Sequence, residues 1–299
     1  MENAESVTRT REIEEFTNLH FIHPVSIRLT RLFARIGVSP NTVSFAGMLC
    51  GILAGVAYYR YQTTAWAVAG FALMVAWHIL DGTDGQLARL THSQSEFGKI
   101  IDGICDYVTF ICVYLGLGFA LQPQHGVEVW GLIMFAGLCH AVQSAAYEVQ
   151  QQEYNFWGHD KQSARLPRLA DLEAVTGRGS LSQRLMSRLH VLYVRVQYMA
   201  SGVSVGLREE LASELQRHAD RAPLIRRRYR EVFAPAVRAW TVMSANYRTV
   251  GIFVCMVLKL PLLFFALEIF VLTPVAAALV SRQRVRYEGF RREIAALDG

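Results

Sequence analysis

With 299 residues, 52% hydrophobic content and a formal net charge of +5, the chain is either one large domain or a membrane protein with several spans. Its five cysteines, Cys50, Cys105, Cys112, Cys139 and Cys255, lie in or beside apolar runs without paired spacing, which excludes a disulfide framework and a cysteine metal site. The basic excess sits in arginine-rich stretches of the kind expected in cytoplasmic loops, so a nucleic-acid partner is excluded as well.

Residues 1–23 read as a polar, solvated tail, and residues 1–15 lack the basic-then-apolar pattern of a cleavable signal peptide. In residues 24–38, Val25, Ile27, Leu29, Leu32, Phe33 and Ile36 alternate with Arg28, Arg31 and Arg35, which predicts an amphipathic helix on an anionic membrane surface. Ser39 and Pro40 form a helix start, with Ser39 as the cap. Apolar runs at 40–59, 65–80, 101–121, 129–147, 249–258 and 262–281 then approach or reach the length needed to cross a bilayer. The run at 249–258 is the shortest. The predicted fold is an all-α integral membrane protein with six spans, an N-terminal surface helix and a helical cytoplasmic insertion.

The second helix is predicted to start near Thr64 and to continue past Leu80 into Arg89. It carries Asp81, Asp84, Gly85, Ala88 and Arg89 at i, i+3, i+4, i+7 and i+8, all on one face. Gly98, Asp102 and Asp106 repeat every four residues on the next helix, and the intervening residues 93–96 fit a capping box that would start that helix at Ser93. A turn between the two helices would bring four carboxylates together against apolar sequence. Buried carboxylates must be paired or bind metal, and one arginine cannot balance four acids. An all-oxygen cluster suits Mg²⁺ or Mn²⁺, with enough carboxylates for two ions. Gly85, Ala88 and Gly98 leave the backbone open to a bulky ligand, and Arg89 offers a fixed positive charge to phosphate.

Residues 122–126, containing Pro123 and Gly126, read as a turn. The fourth span carries His140, Gln143, Ser144, Tyr147 and Glu148; these either hydrogen-bond between helices or line a substrate cavity. Residues 150–246 form a basic insertion in which Leu181, Leu185, Leu189, Leu192, Val196 and Met199 recur at helical spacing, so that this helix packs on the membrane surface or on a second subunit. Residues 247–281 hold the last two spans, where Pro274 is a potential kink and Glu268 an intramembrane carboxylate of unassigned role. Residues 282–299 are a basic tail. The remaining boundaries fall at 39–149 for the first four spans and at 150–246 for the insertion.

The motif resembles the signature of the CDP-alcohol phosphotransferase family, D-x-x-D-G-x-x-A-R, eight residues, then G-x-x-x-D-x-x-x-D, and every fixed position is present. Residues Pro40, Asn41, Thr42, Val43 and Ser44 are similar to the family's P-N-x-x-T/S at the first span, whereas residues 150–246 fall outside the resemblance. The resemblance implies transfer of a phosphatidyl or phosphoalcohol group from a CDP-linked donor to an alcohol acceptor, with release of CMP. It implies metal ligation by Asp81, Asp84, Asp102 and Asp106, with Asp106 as general base. Asn41, Ser44, Gly85, Ala88, Arg89 and Gly98 would contact the CDP portion, and Gln143, Glu148, Asn246 and Arg248 are candidates for the acceptor. It further implies a homodimer. Six spans favour CDP-diacylglycerol as donor with a polar acceptor, the alternative being CDP-choline, CDP-ethanolamine or a CDP-polyol with a lipid acceptor. A cation transporter is the competing class, but it would scatter its carboxylates across spans. The arginines before the first span, in the insertion and after the last span place the site on the cytoplasmic side.

Overall fold

The computed structural model describes residues 10–177, 180–217 and 220–295, which form α-helices joined by short 3-10 and π turns, with no strand among them. The helices are α1 (His23–Ile36), α2 (Pro40–Tyr59), α3 (Thr64–Leu90), α4 (Glu96–His125), α5 (Val129–Glu153), α6 (Leu169–Val175), α7 (Leu181–Ser201), α8 (Val205–Arg217), α9 (Ala222–Trp240), α10 (Ala245–Val257), α11 (Pro261–Leu267) and α12 (Thr273–Ala295). Among the described residues, five stretches are long and apolar enough to cross a membrane: Pro40–Tyr59, Thr64–Leu90, Ile101–His125, Val129–Gly158 and Pro261–Ala295. The expected fifth span is α10, whose 13 residues extend about 20 Å at 1.5 Å per residue, short of a ~30 Å hydrocarbon core.

The chain divides into two compact units, Met1–Leu138 with Ala245–Ile269, and Cys139–Ser244 with Phe270–Gly299. In the first, α2 is the central helix. Gly47, Gly51 and Gly55 recur every four residues along it, and backbones approach closely there: a Cβ on Gly55 would lie 2.3 Å from the carbonyl oxygen of Cys112 on α4. Against α3, Gly47 faces Trp77 and Leu80. Ser39 caps α2 by accepting from the Thr42 amide at 3.2 Å, as its sequence position predicts.

Two expected boundaries shift. The cap of α4 is Ser95, whose Oγ accepts from the Gly98 amide at 2.9 Å, not Ser93, because the chain first turns at His92 with φ 52°. At the other end, α4 continues through Pro123 to His125, and the turn comes only at Gly126 with φ 72°. The N-terminal segment also departs from a solvated tail. Ile13, Glu15, Asn18 and Ile22 are buried, and α1 docks on α3 through Ser26, which donates to the Ile79 carbonyl at 2.8 Å.

In the second unit, Ala146, Tyr147, Trp240, Met243 and Leu279 form one core cluster. Tyr229, Phe233, Tyr287 and Phe290 stack into another, between α9 and α12. Pro274 sits in the first turn of α12 directly after the π turn Glu268–Leu272. A proline there cannot donate to the carbonyl four residues back, and a π turn absorbs the missing bond.

Candidate metal centre

The last turns of α3 and the first turns of α4 are joined by the linker at residues 91–95. Asp81 lies on the α3 face that includes Asp84, and Asp102 and Asp106 are one turn apart on α4; of these four carboxylates, three come together. Carboxylate oxygens of Asp81, Asp102 and Asp106 lie within 4.8 Å of one another, each side chain half-buried. Oxygens bound to one Mg²⁺ or Mn²⁺ at ~2.1 Å stand about 3 Å apart when adjacent and about 4.2 Å apart when opposite, so side-chain rotation must draw the three together around an ion. The donor set therefore fits a hard divalent cation.

Asp84 is held differently. It is buried, and its Oδ2 accepts a 2.5 Å hydrogen bond from the Ser44 hydroxyl of α2, which also donates to the Pro40 carbonyl. Ser44 thus ties the first span to the motif. Asn41, one turn earlier, reaches α4: its Oδ1 would be 3.6 Å from a Cβ placed on Gly98. Among the described residues, a Cβ on Gly85 would meet the Arg89 guanidinium, at 3.5 Å, a group suited to phosphate. Ala88 and Arg89 are half-buried beside it.

The acceptor candidates are already engaged. Asn246 donates to Glu15 Oε2 at 2.6 Å and to Asn18 Oδ1 at 2.7 Å. Arg248 is paired with Glu268, both fully buried. In the second unit, Gln143 donates to Thr273 Oγ1 at 3.0 Å, and Glu148 accepts from Tyr193 and Gln152 at 2.8 and 2.9 Å. Sequence reasoning missed the supports around the motif. His78, one turn before Asp81, bonds Thr249 of α10 through Nε2 at 2.9 Å, and Thr30 of α1 donates to the Thr83 carbonyl and to Gln86. Buried polar residues facing apolar spans were the only available signal, and they do not name their partners.

Residues 37–170 match the family model for CDP-alcohol phosphatidyltransferases. Among similar proteins, a CDP-diacylglycerol--serine O-phosphatidyltransferase of Mycobacterium tuberculosis is 29% identical over 120 residues, 40% of this chain and 42% of the relative. An archaetidylinositol phosphate synthase of Pyrococcus horikoshii is 31% identical over 90 residues, 30% of this chain and 46% of the relative. Cholinephosphotransferase 1 of Danio rerio is 34% identical over 86 residues, 26% of this chain and 22% of the relative. The chain thus spans less than half the length of each of these three relatives. The matched segment contains the whole aspartate motif, the capped start of α2 and the linker between α3 and α4: the chain carries a CDP-alcohol phosphatidyltransferase domain over residues 37–170.

Proposed function

We propose that this protein is a divalent-metal-dependent transferase of phospholipid synthesis that moves a phosphatidyl group from CDP-diacylglycerol to a polar alcohol, releasing CMP. The observation that carries this reading is the convergence of Asp81, Asp102 and Asp106 to within 4.8 Å beside the Ser44–Asp84 bond. Bound there, Mg²⁺ or Mn²⁺, in one or two ions, supplies charge neutralisation for a pyrophosphate and for CMP as leaving group. Arg89 adds a fixed positive charge, while Gly85, Ala88 and Gly98 leave room for the nucleotide. Asp106 accepts the proton of the acceptor hydroxyl, whose oxygen bonds to the phosphorus distal to cytidine as the bond to CMP breaks. The choice of donor is supported by the mycobacterial relative, whose name specifies CDP-diacylglycerol.

A sixth crossing by α10 completes the proposed topology. Lys259, just after α10, donates to the Tyr61 carbonyl at 2.6 Å, and Tyr61 lies in the loop between α2 and α3, at the end of those helices opposite the motif. At its other end, α10 bonds Glu15 and His78 near the motif. It therefore runs beside α3 for most of the bundle's depth despite its length. Six crossings put the arginines that precede α2 and those from Arg282 onward in α12 on one side, the cytoplasmic side by their charge. A homodimer, expected from the family, is tested by cross-linking in the membrane.

The deciding experiment offers purified protein each labelled CDP-linked donor with a panel of acceptors and follows CMP and lipid products. CMP release from CDP-diacylglycerol with a polar alcohol is the expected outcome. Transfer from CDP-choline to diacylglycerol, with none from CDP-diacylglycerol, overturns the donor assignment.

A further inference from the structure

Helix α7 belongs to the insertion, outside the segment that matches the family, and its apolar stripe points the wrong way for a core. Leu185, Leu192 and Met199 repeat every seven residues and are 57%, 56% and 80% exposed. Among the described side chains, Val191, Val194, Gln197 and Ser201, on the opposite face, are the buried ones, all in the C-terminal half; Gln183 and His190, earlier on that face, are exposed. The side chains of Leu181 and Leu189 lie outside the described ones. Arg184, Arg188 and Arg195 follow one another along a single border of the stripe, where Arg195 pairs with Glu173 of α6 at 2.7 Å.

The helix is well built, which argues that the exposed stripe belongs to the folded protein. Ser180 and Gln183 form a reciprocal capping box at its start. Its C-terminal half is tied to α5, a candidate membrane span: Tyr193 donates to Glu148, and Gln150 donates to the Ser201 carbonyl at 2.8 Å. Ala200 packs on the cluster that joins α5 and α12.

We propose that α7 lies along an anionic bilayer surface, its Leu185–Leu192–Met199 stripe in the acyl boundary and Arg184 and Arg188 at the lipid phosphates. A helix sandwiched between its own domain and a membrane needs three things. These are a buried face opposite the apolar one, which α7 has from Val191 onward, cations flanking the apolar face and a nearby anchor in the bilayer. A second copy of the chain fits less well. A twofold contact uses the same face from both partners, and residues 181–201 contain no acidic side chain to answer the arginines. The inference rests on the membrane-spanning reading of α5 and α12 and is independent of the transfer reaction.

The test places a bimane label at Leu192→Cys or Met199→Cys in the full-length protein in nanodiscs, with Arg217→Cys on α8 as the water-exposed control and the unsubstituted protein as background. Quenching by doxyl-labelled lipid at positions 192 and 199 should exceed that at 217 by at least about twofold, and Arg184→Glu with Arg188→Glu should reduce it when phosphatidylglycerol is present. Hydrogen exchange of the unsubstituted protein gives a second readout, with residues 185–199 more protected in phosphatidylglycerol-containing discs than in phosphatidylcholine alone. Equal quenching at the three positions with no lipid-dependent protection overturns the proposal. Proximity between labels on two copies without lipid quenching overturns it in favour of a subunit contact. Neither readout involves CMP release, so a failure here is separable from a failure of the transferase assignment.

Discussion

Arg248 and Glu268 form a buried ion pair inside the first unit: Nε and Nη2 of the guanidinium donate to Oε1 at 3.1 and 2.9 Å, and the side chains are 1% and 0% exposed. The pair fastens α10 to the π turn Glu268–Leu272, and with the His78–Thr249 bond it fastens α10 to α3. Removing one partner leaves an unmatched charge away from water. Glu268→Gln should cost about 3–5 kcal/mol of stability, whereas the double variant Arg248→Met with Glu268→Leu should recover most of it. Thermal unfolding in detergent micelles reads both. Retained transfer in the double variant would show that Arg248 does not hold the acceptor.

The three clustered carboxylates have different expected roles but a common signature. Asp102→Asn and Asp106→Asn should each lower the rate of CMP release by at least about two orders of magnitude while the helical content survives. Mn²⁺ affinity by electron paramagnetic resonance should fall for Asp102→Asn. Wild-type transfer by either variant at saturating Mg²⁺ or Mn²⁺ refutes the assignment.

Ser44 donates to a carboxylate, and hydrogen bonds to charged groups are worth about 1.5–3 kcal/mol. Ser44→Ala should therefore slow transfer by about tenfold or more, and Ser44→Thr, which keeps the hydroxyl, should restore most of it. Equal losses in both variants would mean that volume, not the bond to Asp84, is what matters.

The glycine contacts predict opposite signs for one substitution. Gly55→Ala drives a methyl into the Cys112 carbonyl, so α2 and α4 must separate at a cost of about 1–3 kcal/mol. Gly289→Ala, in mid α12 with nothing within 4 Å of the new Cβ, should stabilise by about 1 kcal/mol through helix propensity alone. Melting temperatures of the two variants decide.

Topology is open to a direct check at Gln124, exposed in the last turn of α4. A cysteine there should react with an impermeant maleimide from the outer side only, against the background of the native cysteines, all of which lie within helices. Labelling only from the cytoplasm inverts the predicted orientation.

What the sequence determined by itself was local. Asp81, Asp84, Asp102 and Asp106 announce their common faces because helical periodicity converts spacing into direction, and the cap at Ser39 needs only its own first turn. The apolar runs likewise reveal the long spans, since length alone decides what can cross a bilayer. The sequence was silent wherever the answer lay in a partner far along the chain. Nothing in Glu268 names Arg248, 20 residues earlier, and nothing in Asn246 names Glu15, 231 residues away. The α7 stripe shows the same limit from the other side: periodicity recognised an amphipathic helix, but only packing decided that Val191 and Val194 face inward and Leu192 and Met199 face out. An apolar face satisfies the hydrophobic effect equally well against protein or lipid, and a buried polar group accepts any complementary partner within reach. The tertiary structure chooses among them.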